Sequence, residues 1–377
     1  MGKMAVFRRD GVIPIRARIL ISTLLALACL PGCGSSSGAS GGGGSTPTTR
    51  LALVTLPSQN GVSTYRVSAS GVLTLVAGSP FPAGPSPSAL WILPSGNFAY
   101  AANQAENDIS LLKIDNSTGS LTEIMPRTPV GVNPSSLAMD SGGNFLYVAN
   151  QASNTISVFS ASSSSGSLTA VTGSPFPANP GPQTLLLSPS GDFLFVCNPN
   201  IAAVSVYTTS SGALQEVAGS PFTVGHVPVS MAVDSGEHFL YVTNEADGTL
   251  SVFSIAASGT LTPISGSPFT IVSAPAALAL NTSGNYLYVT NHGAANVSVY
   301  ALDSVTGVPT QIANSPFTAS TTPSFLVLDP SNTFMLEADQ TAKTISTLPI
   351  TASTGALAGI ASSVTLPSGP GSVSLTK

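Results

Sequence analysis

The sequence predicts an all-β chain, a seven-bladed β-propeller of four-stranded blades, whose ring is closed by the C-terminal strand joining the N-terminal blade. Three observations predict it. One phrase recurs in near copies: "FLYVANQASNTISVFSA" from Phe145, "FLFVCNPNIAAVSVYTT" from Phe193, "FLYVTNEADGTLSVFSI" from Phe239 and "YLYVTNHGAANVSVYAL" from Tyr286. The residues that end its leading run, Asn103, Asn150, Asn198, Asn244 and Asn291, then Asp339, are spaced 46 to 48 apart, the length of a four-stranded propeller blade. The two ends of the chain carry complementary fragments of one copy.

Each copy reads as four short strands. In the copy around Cys197 they are "QTLLLS", "FLFVCN", "AVSVYTT" and "ALQEVAG", with Gly191 turning the first into the second and Gly212 the third into the fourth. Glycine serves such tight turns because it reaches backbone angles that other residues avoid. Gly96, Gly143, Gly236 and Gly284 match the first turn; Gly119, Gly166, Gly259, Gly307 and Gly355 match the second. In "FLYV", Phe239 and Tyr241 point one way and Leu240 and Val242 the other, so both faces need cover. Blades packed face to face provide that, whereas a two-layer sandwich leaves the outer faces polar. The recurring "GSPF" is expected to end each fourth strand, with proline at an edge and phenylalanine wedged between blades.

The termini decide between a closed ring and an open stack. Leu53 to Phe81 aligns without a gap to Tyr241 to Phe269, so the domain starts at a second strand. After Pro367, "GPGSVSLTK" resembles the first strands "GPSPSALWI" and "GVNPSSLAM". Together the fragments make one blade, and with six complete copies they make seven. An open solenoid would need capping repeats instead.

Ahead of the ring, Lys3, Arg8, Arg9, Arg16 and Arg18 precede an apolar run, Ile19 to Leu30, that is too short to span a bilayer and reads as a secretory signal. It closes on "LPGC", which resembles a bacterial lipobox. That resemblance implies lipidation of Cys33, with Pro31 departing from the usual pattern; the alternative is an ordinary signal cut nearby. Residues 1–33 are therefore the expected signal and 34–50 a Gly/Ser-rich tether, with an r.m.s. reach on the order of 20–25 Å. Residues 51–377 form the propeller. Gly34 after the cysteine implies the outer membrane, so the expected setting is export and lipid anchoring there. Without the signal, the basic residues are Arg50, Arg66, Lys113, Arg127, Lys343 and Lys377, while every acid but Asp10 remains. An acidic chain with 7% charged residues is no partner for nucleic acid, and its steering field is weak. Cys197 aligns with Ala102, Ala149, Thr243 and Thr290 and reads as a small packing residue.

The "LYVTN" and "LYVAN" phrases, the proline before each first strand and the seven-fold count resemble the YVTN-repeat propellers. Within these they resemble the lactonase-like family that includes 6-phosphogluconolactonase. The resemblance covers Leu51 to Lys377 and implies a family spanning lactone hydrolases, a muconate cyclase and surface-layer proteins, so fold alone leaves function open. Enzymatic members tend to place histidine after the proline of an inner strand. Here those positions hold Ser135, Gln183, Val229, Ala276 and Ser324, while His226 stands two residues before Pro228.

The face carrying the loops between second and third strands is expected to hold the asparagine series, Arg127, His226, Glu245, His292 and Lys343. His226, Glu245 and His292 fall in adjacent blades five and six and suit general-base work on a water attacking a lactone; the competing reading is solvated loop tips. A phosphosugar would need clustered cations, and Arg127 is expected between blades two and three and Lys343 in blade seven, so no cluster is visible. Each asparagine either closes its turn, by left-handed geometry and bonds to its own backbone, or meets a ligand. No cofactor or metal is expected, because no metal-spaced His/Cys set, phosphate loop or Ser-His-Asp signature occurs. The expected function is that of a monomeric, envelope-tethered module that binds or scaffolds a glycan, peptide or envelope protein; the alternative is a lactone hydrolase, 6-phosphogluconolactonase-like, with a displaced site.

Overall fold

A strand that is apolar on both faces must be covered twice, and the computed structural model, which describes residues 50–376, arranges seven antiparallel sheets to do this. Blade 5 is representative: Pro228–Val233, Phe239–Asn244, Thr249–Ile255 and Leu261–Pro263 pair in chain order. First strands of successive blades pack on one another at the centre of the ring. The apolar core is therefore distributed among seven clusters, each lying at a seam between neighbouring blades. Leu240 and Val242 pack toward blade 4 and Phe239 and Tyr241 toward blade 6, as alternation along the strand requires.

Closure takes place as the complementary ends predict. Val373–Leu375 is the first strand of blade 1 and pairs antiparallel with Arg50–Leu56, Leu53 opposite Ser374. The Thr376 amide donates to the Leu51 carbonyl at 2.9 Å, and the Leu51 amide to Thr376 Oγ1 at 2.8 Å. The signal segment, Cys33 and nearly all of the tether lie outside the described residues, as does Lys377.

The seams explain why the repeated phrase is written as it is. Tyr100, Tyr241 and Tyr288 are fully buried, and each hydroxyl donates to a turn-glycine carbonyl of the following blade: Gly166 at 2.8 Å, Gly307 at 3.2 Å and Gly355 at 3.0 Å. Gly166 has φ +72°, and a Cβ there would sit 2.9 Å from the Phe98 ring of the preceding blade. Left-handed geometry and close approach thus both select glycine at that turn. At the first turn of blade 5, however, Gly236 is not the left-handed residue. Glu237 takes that conformation, with φ 57°, and its carboxylate accepts the Ser190 amide and, at 3.1 Å, the Ser190 hydroxyl.

"GSPF" interrupts the fourth strand instead of ending it. In blade 3, Leu168–Ala170 pairs with one half of the third strand, and Phe176–Pro177 resumes the pairing on the other half. Between them the third strand would be left with an orphan amide. The motif's serine supplies the missing acceptor: the amides of Thr64, Val158, Val206, Val252 and Val299 donate to Ser79, Ser174, Ser220, Ser267 and Ser315 Oγ at 2.9–3.1 Å. The phenylalanine packs on the seam, as with Phe269 between blades 5 and 6.

Candidate functional site

The asparagine that ends each second strand is built into the blade. Asn103, Asn150, Asn198, Asn244 and Asn291 are fully buried, and each Nδ2 donates to the serine seven residues on, in the third strand, at 2.8–2.9 Å. The left-handed residue of the turn comes four positions later, at Asn107, Asn154, Ala202, Gly248 and Ala295. The expectation of a left-handed asparagine is thus corrected: the side chain ties the second strand to the third, and Asn198 Nδ2 alone of the five also bonds nearby backbone in its own strand, the Val196 carbonyl at 3.1 Å.

The next residue does reach the surface. Glu245 follows the buried asparagine of blade 5 and His292 that of blade 6, so the symmetry of the ring presents them side by side. Their backbones are pinned alike, the Glu245 amide to the Val227 carbonyl at 2.9 Å and the His292 amide to the Ala274 carbonyl at 3.1 Å. His292 Nε2 lies 3.4 Å from Glu245 Oε1, with both side chains about one-third exposed. His226 takes a different partner. Its amide and Nδ1 both meet Asp247, at 2.7 and 3.0 Å, and its imidazole is 77% exposed. The hydrogen bond from the His226 amide holds the Asp247 carboxyl below its ordinary value.

Arg127 lies within blade 2, on the fourth strand Leu121–Pro129, where "MPRT" stands in place of "GSPF". Its guanidinium is engaged by Glu123 and Glu106, each at 2.7 Å, with Asp108 at 3.9 Å. Hydrogen bonding to Glu123 raises its pKa further, so this cation is committed to its own blade. Lys343 lies elsewhere in its blade, exposed in the turn between the second and third strands of blade 7, with no ion pair among the described residues.

One acidic residue was missed by reading the sequence. In blade 7 the strand Phe334–Asp339 reads "FMLEAD", which puts Glu337 in the column occupied elsewhere by Val148, Val196, Val242 and Val289. Glu337 is fully buried; Oε1 accepts the Ser320 hydroxyl and Oε2 has no partner among the described residues. Burial pushes its carboxyl up to about 7, and nearby Asp339 adds to the shift. Asp339 is also buried, which by itself would raise it. It nevertheless stays far below the usual range, because Thr322, Ala342 and Thr321 donate to it. A carboxyl in a column of valines was the available signal. Among the described residues, no group of His, Cys, Asp and Glu has an arrangement that could hold a metal ion.

Comparison with known proteins bears on what this arrangement serves. The family model described as "Lactonase, 7-bladed beta-propeller" matches residues 62–186 and 177–374. No curated protein matches the sequence significantly. Among solved structures, a putative 6-phosphogluconolactonase from Bacteroides fragilis is similar at 20% identity and a TM-score of 0.76, covering 89% of this chain and 99% of that one. A periplasmic gluconolactonase from Pseudomonas aeruginosa is similar at 20% identity and a TM-score of 0.73, covering 87% and 99%. At that identity the likeness of the structures establishes the fold alone, whereas the family model spans nearly the whole ring. The chain therefore belongs to the seven-bladed β-propeller lactonase family.

Proposed function

We propose that this chain hydrolyses neutral lactones, with His292 as general base and Glu245 as its positioning residue. The observation that carries the reading is the 3.4 Å approach of His292 Nε2 to Glu245 Oε1 on a solvent-accessible face. A carboxylate at Nε2 fixes the tautomer and strengthens the base, leaving Nδ1, which has no partner among the described residues, to take a proton from water. The hydroxide equivalent adds to the lactone carbonyl. Collapse of the adduct breaks the bond to the ring oxygen, which regains the proton from the imidazolium to give the open hydroxy acid. Neutral substrates are favoured because Arg127 is already engaged by carboxylates. Membership of the lactonase family supports this reading, whereas a purely scaffolding role draws no support from it.

In an assay on simple sugar lactones, His292→Ala should lower kcat by about 10²- to 10⁴-fold with an unchanged melting temperature. Glu245→Gln should lower it less and shift the pH profile. Absence of turnover above the buffer rate in the parent protein would instead return the chain to the binding class.

We propose further that the enzyme is exported and held at the outer membrane by acylated Cys33. Cys33→Ala should move it from membrane to soluble fractions, since the acyl chains contribute about 0.8 kcal/mol per buried CH₂. Equal membrane partition of variant and parent would remove the anchor.

A further inference from the structure

The face opposite the Glu245–His292 pair carries a cavity of about 590 Å³, within the range of small-molecule sites. Its walls come from the far ends of the first strands of blades 1, 2, 3 and 7, and include Trp91, Met139, Leu326 and Leu375. Trp91 is the single tryptophan of the chain and is 36% exposed. Its column in the other first strands holds Ala138, Leu186, Ala232, Ala279, Val327 and Ser374, so one blade alone brings an indole to this mouth. The other seams show that packing does not require it.

The charges around the cavity define what it would take. Among the described residues Arg50 is the one cation in the lining, and it is paired with the buried carboxylate of Asp329 across the seam between blades 7 and 1. Asp140, on the rim, accepts the amides of Asn144 and Phe145 on Oδ1, at 2.8 and 2.5 Å, and Asn144 Nδ2 on Oδ2 at 3.0 Å, which leaves Oδ2 with one lone pair for a further donor. An anionic ligand would meet Asp140 with no free cation among the described residues of the lining to offset it. A purely apolar ligand would strip water from Asp140 and Asn116 without replacing those hydrogen bonds. A ligand with an apolar ring face and a hydroxyl edge satisfies both the indole and the rim.

We infer that this cavity is a second site, separate from the lactone-hydrolysing face, that binds a neutral pyranose sugar by stacking on Trp91 and hydrogen bonding to Asn116 and Asp140. Because Trp91 is unique, intrinsic fluorescence reports on the site directly. Titration with glucose and with maltose should give a saturable change in emission, and sodium gluconate and 1-octanol should give none. By calorimetry, Trp91→Ala should weaken maltose binding about tenfold and Asn116→Ala by a similar factor. Neither change should alter lactone turnover, and His292→Ala should leave sugar binding intact, so failure of this inference is distinguishable from failure of the hydrolase reading. No saturable response to either sugar, or a response to gluconate or octanol in their place, overturns it.

Discussion

Removing Gly371 to Lys377 is expected to unfold or aggregate the protein under conditions where the parent is fully folded. The deleted strand carries hydrogen bonds to Leu51 and Thr55, and Ser374 Oγ donates to the Leu90 carbonyl of blade 2 at 3.0 Å. Val373 and Leu375 pack into the cluster between blades 7 and 1. At about 1 kcal/mol per hydrogen bond and roughly 1.5–3 kcal/mol per buried apolar side chain, the direct loss is on the order of 5 kcal/mol or more. Opening the ring adds a further liability, because Arg50–Leu56 becomes an unpaired edge of apolar sequence. Calorimetry and size-exclusion chromatography on the truncated protein test this. A melting temperature within a degree or two of the parent would mean that the terminal strand does not hold the ring.

Glu337→Gln is expected to stabilise the protein at pH 8 by about 3 kcal/mol while leaving it little changed at pH 4, because the folded carboxyl titrates near 7 and the unfolded one near 4.5. Below the unfolded value both states are protonated and the group is neutral to stability. As pH rises from there, the unfolded chain loses its proton first, so folding becomes progressively less favourable until the folded carboxyl has also ionised. The parent should therefore lose stability between about pH 4.5 and 7 and level off above, and the amide variant should lack that slope. Glu337→Val, which restores the residue held by every other blade but blade 2, where Ala101 stands, should flatten it in the same way. Denaturant titrations at several pH values measure the difference; superimposable pH profiles for parent and Glu337→Gln would show that the buried carboxyl is not what titrates.

The repeat made most of the architecture legible in one dimension. Periodic asparagines, turn glycines and strands apolar on both faces are local signals, and the complementary fragments at Leu53 and after Pro367 imply closure without any coordinates. "GSPF" was legible as a recurring element but not in its role. The serine acts across the sheet on an amide of the third strand, a relation that exists only once the strands are paired. The buried asparagines were ambiguous for the same reason, since each partner lies seven residues away across a turn.

Sequence by itself determined the blade, the number of blades and the manner of closure, because each depends on spacing and alternation along the chain. Tertiary structure alone decided the polar partnerships. Whether His226 meets Glu245 or Asp247 depends on a few ångströms between loops of different strands, and the structure pairs it with Asp247 and gives Glu245 to His292. Arg127 is basic in sequence but electrostatically committed in space, because Glu106 from a turn, Asp108 from the start of the third strand and Glu123 from Arg127's own strand converge on it. Glu337 and Trp91 appear in sequence as departures from a column. Burial and an open cavity are what make one a titrating group and the other a candidate ligand platform, and both are properties of packing between blades.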